Sequence, residues 1–343
     1  GWFELHEKFG RLPIADVLAP AIRYAEEGFP VSQLIAHDWK LGGAQLKDYP
    51  GFAETFLPGG AAPAEGTLFR NPALARTLRA VAKDGRDAFY RGDIARTIDA
   101  FMRREGGFLS YNDLATHRSD WVEPVSADYR GYRLWELPPN GQGIAALMAL
   151  GMLDHTNIRD LDADDPQAFH LQLEAMKLAL ADTLEFVGDL DHMTRITPED
   201  MLDDGYLAER AKLIDPAKAT NFKSGAPKRG GTVYLTAADE TGMMVSFIQS
   251  NYSGFGSGVV VPGTGISLHN RGNGFVTTPD HPNAAGPGKR PYHTIIPAMM
   301  MRDGRPLYSF GVMGGHMQPQ GHLQVTVNMI DLNMDPQRAL DAP

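Results

Sequence analysis

Gly230-Gly231-Thr232-Val233-Tyr234-Leu235-Thr236-Ala237-Ala238-Asp239 is the point at which this chain stops reading as helix and starts reading as strand. Just before it, residues 221–231 (NFKSGAPKRGG) are polar and carry Gly and Pro, the composition of a loop and a linker candidate. After it, residues 232–239, a Glu240-Thr241-Gly242 turn and residues 243–250 predict a β-hairpin. A Thr that opens a strand after a flexible loop is ordinarily just a β-former. The same junction also admits a chemical reading. Cleavage of the Gly231–Thr232 bond would give Thr232 a free α-amine beside its own hydroxyl, and an amine with a pKa of about 8 is a competent base near neutral pH. Such an amine activates the hydroxyl without any His or Asp.

Upstream of the junction the chain is mainly helical. Residues 14–28 form an amphipathic helix with Val17, Leu18, Ala21, Ile22 and Ala25 in one stripe and Gly28 as the stop. Helices are expected over 71–82 and 93–104, and a buried one over 143–153 (GIAALMALGML). Residues 129–137 alternate like a strand and run into a Pro138-Pro139-Asn140-Gly141 turn. Asp165-Pro166 caps a long helix reaching about Val187, with Phe169, Leu173, Met176 and Leu180 on its core side. Downstream, a Gly-rich loop (253–258) precedes Val259-Val260-Val261, and a strand-like run (307–313) precedes Gly314-Gly315 and an amphipathic stretch over 317–329. No internal repeat or low-complexity tract interrupts this order.

The chain has 343 residues, with 32 Lys+Arg against 42 Asp+Glu, a formal net charge of -10, and 43% hydrophobic residues. That length supports one large domain or two smaller ones. The acidic balance argues against nucleic acid as a partner, and no apolar run is long enough to span a bilayer. The chain has no cysteine, which excludes disulfides, thiolate metal sites and a thiol nucleophile. His316 and His322 lie six apart and His281 and His293 twelve apart, spacings that fit no standard metal site, so satisfied or surface histidines are expected. Neither a G-x-S-x-G elbow, an H-E-x-x-H helix nor a P-loop occurs. The loop Ser253-Gly254-Phe255-Gly256-Ser257-Gly258 superficially suggests a nucleotide loop, but a β-branched run follows it where a helix would be needed. A tight bend or an anion-binding concavity are the other readings. Gly314-Gly315 reads as a turn, and equally as two small residues whose N–H groups could approach an oxyanion.

Both ends read as cut. The chain opens on Gly1-Trp2-Phe3-Glu4-Leu5-His6 with no basic-then-apolar leader and closes on a helical segment without a C-terminal cap. The expectation is an interior portion of a longer protein, which leaves the compartment open between cytoplasm and periplasm.

Read together, these motifs resemble the γ-glutamyltransferase (γ-glutamyltranspeptidase) family of N-terminal nucleophile hydrolases. The resemblance is carried by the run from Thr232 to Asp239, Ser246-Phe-Ile-Gln-Ser-Asn-Tyr252, Phe255-Gly-Ser-Gly-Val-Val-Val-Pro-Gly-Thr-Gly-Ile266, Lys289-Arg-Pro-Tyr-His-Thr-Ile-Ile-Pro297 and Gly314-Gly315 with Gln318-Pro-Gln-Gly-His322. Upstream, Leu5-His-Glu-Lys-Phe-Gly-Arg-Leu-Pro13, Leu18-Ala-Pro-Ala-Ile22, Glu26-Gly-Phe-Pro-Val31 and Glu174-Ala-Met-Lys177 look like its large subunit. The resemblance implies an α+β fold, an αββα sandwich incomplete here at both ends. It implies a precursor that cleaves itself after Gly231, with 1–231 the C-terminal part of a mainly helical large subunit and 232–343 the N-terminal part of a strand-rich small subunit. Thr232 matches the nucleophile, Ser250 an assisting hydroxyl, and Gly314 and Gly315 the oxyanion pair. The reaction implied is acyl transfer from a small-molecule amide or γ-glutamyl compound, as in glutathione hydrolysis, to water or an acceptor amine. Association of the two-subunit product into a homo-oligomer is left open.

The sequence departs from this family at its substrate contacts. The amide and carboxylate positions that bind a glutamyl α-amino group correspond to Tyr252 and Gly274, and the Ser-Ser pair that meets the α-carboxylate to His293-Thr294. Loss of the acidic partner removes a large part of ammonium recognition. The departures favour a related amide or γ-glutamyl-like compound, with hydrolysis over transfer, and the resemblance implies no metal or cofactor. The alternatives are an oxamate- or cephalosporin-acylase-like amidohydrolase and, in another class, an uncleaved, non-catalytic paralogue.

Overall fold

The computed structural model describes residues 1–222 and 231–342, so most of the linker candidate at 221–231, and the terminal Pro343, lie outside the described residues. The chain begins with helices α1 (Trp2–Phe9) and α2 (Ile14–Glu27), strand β1 (Phe29–Pro30), and helices α3 (Gln33–Leu46) and α4 (Phe52–Phe56). Strand β2 (Leu68–Phe69) follows, then α5 (Pro72–Asp84), α6 (Arg86–Tyr90), α7 (Asp93–Arg104) and α8 (Tyr111–Thr116). Next come β3 (Val125–Tyr129), β4 (Tyr132–Glu136), α9 (Gly143–Asp154), α10 (Pro166–Phe186), α11 (Pro198–Met201) and α12 (Asp204–Ala211). The final third holds β5 (Gly231–Ala238), β6 (Met244–Tyr252), β7 (Val260–Val261), β8 (Ile266–Ser267), β9 (Ala298–Arg302), β10 (Arg305–Phe310), α13 (Gln318–Ile330) and α14 (Pro336–Asp341). Among the described residues no helix is long and apolar enough to cross a membrane.

Helix starts follow the capping chemistry of the sequence. Asn71 accepts the Leu74 N–H ahead of Pro72, and Asp165 accepts the Gln167 N–H ahead of Pro166. The chain divides into two compact units, one of Gly1–Trp121 with Phe255–His269, the other of Val122–Gly254 with Asn270–Pro343. Each unit therefore contains chain from both sides of Thr232.

The first unit is helical around an aromatic cluster of Trp39, Phe52, Phe56, Phe69 and Phe255, whose rings meet edge-on or tilted except for the stacked Phe56–Phe69 pair. α7 buries Ala95, Ile98 and Phe101, one helical stripe, in a second cluster with Val261. Val17 of the predicted α2 stripe is 50% exposed, because only Leu18 and Ala25 of that helix are buried. The 253–258 segment leads into β7, with the Ser257 N–H donating to the Leu268 carbonyl at 2.8 Å, so the bend reading replaces the nucleotide-loop one.

The second unit is built on a four-stranded antiparallel sheet in the order β10-β9-β4-β3. α9 lies on β3 and β4 and is itself flanked by α10, α12 and α13. All of α9 except Gly151 and Asp154 is buried, as its unbroken apolar sequence requires. The β5–β6 hairpin contacts the edge strand β10, where Thr236 and Ser309 share a hydroxyl hydrogen bond and Ser246 Oγ donates to the Phe310 carbonyl at 3.4 Å.

Two sequence expectations need correction here. Residues 129–137 are not one strand: Arg130 (φ 52) and Gly131 (φ 82) turn the chain between β3 and β4. Two positive φ values mark a type I′ hairpin, and Arg in place of the usual Asn or Asp concealed it. On α10, Met176 is buried and Leu180 packs against the core as expected, but Leu173 is 47% exposed, and Leu171, Ala175, Leu178 and Ala179 complete the buried face. The larger side chains were read as core, yet small alanines are what let α10 approach α9.

Candidate active site

Thr232 stands on β5 directly opposite Ser250 on β6, beside an irregularity in the pairing: Gly231 pairs with Tyr252 and Thr232 with Ser250. Asn251 is thus an extra residue on β6, a bulge against the Gly231–Thr232 bond. Tyr252 completes the bulge with φ 76, a left-handed conformation that costs a non-glycine residue roughly 1–3 kcal/mol. Thr232 Oγ1 donates to Ser250 Oγ at 3.0 Å. Both residues line an open cleft of ≈ 450 Å³ with Val233, Gln249, Asn251 and Gly254.

Ser250 Oγ also accepts from the Tyr252 N–H at 2.9 Å and from Arg271 Nη2 at 2.8 Å. Arg271 Nη1 donates in turn to Thr294 Oγ1 at 2.7 Å, and its guanidinium carbon lies 4.6 Å from the centre of the Tyr252 ring. Arg271 is 5% exposed, and burial pushes its pKa down to about 10, which leaves it cationic at neutral pH. Gln142, fully buried, donates from Nε2 to the carbonyls of both Thr294 and Gly315, each at 2.7 Å. An unbroken line of short hydrogen bonds therefore joins Thr232, Ser250, Arg271, Thr294, Gln142 and Gly315.

Gly314 (φ 149) and Gly315 (φ 63) hold backbone angles that favour glycine, and a short 3-10 turn carries them into α13. His316, next in sequence, stacks on Tyr292 at 5.9 Å. Burial first, and then the Arg271 charge, push its pKa below the ordinary histidine value. The remaining sequence-derived positions are held mainly through backbone. His293 donates its N–H to the Asn140 carbonyl at 2.9 Å and accepts the Gln142 N–H at 3.0 Å. Gly274 accepts from Asn283 Nδ2 at 2.7 Å, and a Cβ there would lie 2.6 Å from the Tyr292 carbonyl oxygen.

A family model described as Gamma-glutamyltranspeptidase matches residues 1–343. The chain belongs to the gamma-glutamyltranspeptidase family. It is 36% identical to the glutathione hydrolase-like YwrD proenzyme of Bacillus subtilis and 39% identical to the oxamate amidohydrolase proenzyme of Klebsiella pneumoniae, each over 100% of this chain and 65% of the relative. The crystal structure of a cephalosporin acylase from Bacillus halodurans superposes with a TM-score of 0.93 at 48% identity, covering 100% of this chain and 63% of that one. The fold is accordingly the mixed helix-and-sheet fold of the gamma-glutamyltranspeptidases and cephalosporin acylases, and the chain spans about two thirds of the length of the relatives it matches.

Within this family frame the sequence reading missed Arg271, Gln142 and Glu136. Arg271 is the one charged side chain in the Gly/Asn-rich stretch Asn270-Arg-Gly-Asn-Gly274, and Gln142 is a polar residue opening an otherwise apolar helix. Both features are visible in sequence as polar residues lacking a local reason. Glu136, at the end of β4, is 2% exposed, and its Oε1 lies 2.6 Å from Nδ1 of His322, itself 1% exposed on α13. Burial raises the Glu136 pKa, and the His322 contact opposes that shift. The pair joins the end of β4 to the helix that carries the glycine turn.

The closed environment of Gly274 yields a prediction. Gly274→Asp, which restores the acidic residue the family resemblance leads one to expect, should destabilise the protein by roughly 1–3 kcal/mol through overpacking and add no glutathione turnover. Thermal unfolding and a glutathione assay on the same sample check both parts; a stable variant with new glutathione hydrolysis would show that only the carboxylate was lacking.

Proposed function

We propose that this chain is the central part of a self-cleaving N-terminal threonine amidohydrolase, with residues 1–231 contributing to the large subunit and 232–343 to the small one. The observation that carries the reading is the Thr232 Oγ1–Ser250 Oγ hydrogen bond at a β-bulge facing an open cleft. It is supported by the proenzyme relatives that match the whole chain.

In the uncut chain Thr232 Oγ attacks the Gly231 carbonyl carbon, the C–N bond breaks, and the hydroxyl proton passes to the departing nitrogen. Water then hydrolyses the resulting ester, leaving a Gly231 carboxylate and a Thr232 bearing a free α-amine and hydroxyl. That amine is the base for turnover. Thr232 Oγ attacks the substrate amide while the N–H groups of Gly314 and Gly315 hold the developing oxyanion. The amine product leaves with the proton, and water or an acceptor amine resolves the acyl-enzyme. Cleavage need not separate the two subunits. β4, from the large one, pairs with β9, from the small one, within a single sheet, and α13 packs on α9.

The side chains gathered at Ser250 are hydroxyls, a tyrosine and a guanidinium, while Gly274 has neither a carboxylate nor room for one. A substrate ammonium meets a cation there, and an acidic or neutral acyl group meets hydrogen-bond donors. Amides whose acyl portion lacks a free amino group, such as the oxamate for which one relative is named, are therefore the favoured substrates. A panel of oxamate, glutaryl amides and glutathione, assayed on the full-length protein, should give kcat/KM at least tenfold higher for the amino-free acyl groups. Preference for glutathione would overturn this choice of substrate.

A further inference from the structure

Gln142 occupies a position that packing alone does not explain. It precedes α9, whose first eight residues are all buried, and is itself 0% exposed. Its Oε1 has no hydrogen-bond partner among the described residues. A half-satisfied buried amide costs about 1–3 kcal/mol, so stability alone would favour an apolar side chain here. Violations of this kind concentrate where function requires them. The orientation of the amide is chemically forced. Two carbonyl oxygens, Thr294 O and Gly315 O, lie 2.7 Å from one atom, and only the NH2 end can satisfy both.

The mounting of this side chain is rigid. The Gln142 N–H donates to the His293 carbonyl at 3.0 Å, the His293 N–H to the Asn140 carbonyl at 2.9 Å, and Asn140 Nδ2 to the Pro291 carbonyl at 2.6 Å. Residues 140–142 and 291–293 are thus laced together, which fixes the direction in which Gln142 projects. Its two acceptors belong to different parts of the site. Thr294 is held by Arg271, which also holds the hydroxyl partner of Thr232. Gly315 belongs to the glycine turn.

We propose that Gln142 is a positioning residue for acyl transfer: its single amide nitrogen sets the spacing between the oxyanion glycines and the hydroxyl line that ends at Thr232. This rests on the reading of Thr232 as nucleophile and of Gly314–Gly315 as oxyanion donors. Displacing a reacting group by about 1 Å is enough to cost on the order of 100-fold in rate while leaving ground-state binding intact.

The test uses the full-length protein, processed in the wild type and the Gln142 variants, and an amide that the wild type hydrolyses, with the uncut Thr232→Ala protein as control. Gln142→Met, close in size but without donors, should lower kcat about 100-fold with KM within threefold. Gln142→Glu keeps shape and polarity but places a carboxylate against two carbonyls when ionised. Its kcat relative to wild type should climb as pH falls, because the protonated carboxyl regains one donor. The Q142E profile decides the matter if Q142M does not fold. A folded, cleaved Q142M with kcat within threefold of wild type, or a Q142E profile parallel to that of wild type, overturns the role of Gln142 alone. Undiminished turnover in T232A overturns the nucleophile reading and takes this proposal with it.

Discussion

Thr232→Ala should leave the precursor as one unbroken chain and lower amide hydrolysis by at least about 10⁴-fold, the scale on which removal of a nucleophile acts in enzymes of the triad type. Both effects have one cause. In the proposed mechanism, attack on the Gly231 carbonyl and attack on the substrate use the same oxygen, and the base for the second attack exists only after the first. Thr232→Ser keeps the oxygen and its reach toward Ser250, so it should still cleave, more slowly, and retain a measurable part of the activity. Intact mass with N-terminal sequencing reads the cleavage, with a small chain beginning Thr-Val-Tyr-Leu in the wild type, and a hydrolysis assay reads the turnover. A T232A chain that is still cut at this bond, or still turns over substrate, would remove Thr232 from the chemistry. An uncut wild type would instead favour the non-catalytic paralogue.

The largest effect on stability is expected from His322→Leu. That change leaves the buried Glu136 carboxyl without the imidazole that stands 2.6 Å away, and leaving a buried carboxylate uncompensated costs about 3–5 kcal/mol at neutral pH. The pH dependence has a definite sign. Burial holds the folded-state pKa of Glu136 above its ordinary value near 4.5, and His322, which counteracts that rise, is absent from the variant. The folded protein then binds the proton more tightly than the unfolded chain. The favourable contribution of the protonated carboxyl is fully present below about 4.5 and is lost as pH rises through the folded value. H322L should therefore lie closest to wild-type stability in acid and fall furthest behind near pH 7. Adding Glu136→Gln should remove most of that pH slope. Denaturant unfolding at pH 5 and pH 7 measures the difference; a deficit that does not change with pH would mean that the carboxyl is not what the imidazole compensates.

These two variants probe regions that differ in how far they could be read in advance. Thr232 announces itself locally, through a Gly-Gly junction after a polar loop and before an alternating run, and Ser250 lies across the hairpin that the Glu240-Thr241-Gly242 turn dictates. The buried helix at 143–153 and the capped starts at Asn71 and Asp165 are equally local, because apolar period and cap chemistry act within a few residues. The 129–137 segment misled for a local reason as well, since its turn uses Arg130 where Asn or Asp is usual.

Glu136 and His322 are separated by 186 residues, Gln142 and Gly315 by 173, and neither leaves a periodic trace in the chain. By itself the sequence determined the family, the longer helices on either side of the junction, and the hairpin that sets Thr232 opposite Ser250. Only the tertiary structure decided that a guanidinium stands beside Ser250, that Gly274 is closed by the Tyr292 carbonyl, and that one glutamine amide ties the glycine turn to the hydroxyl line. Helices, strands and caps are set by interactions between near neighbours, whereas the charge and spacing of the site depend on which distant segments are brought together once the core has closed.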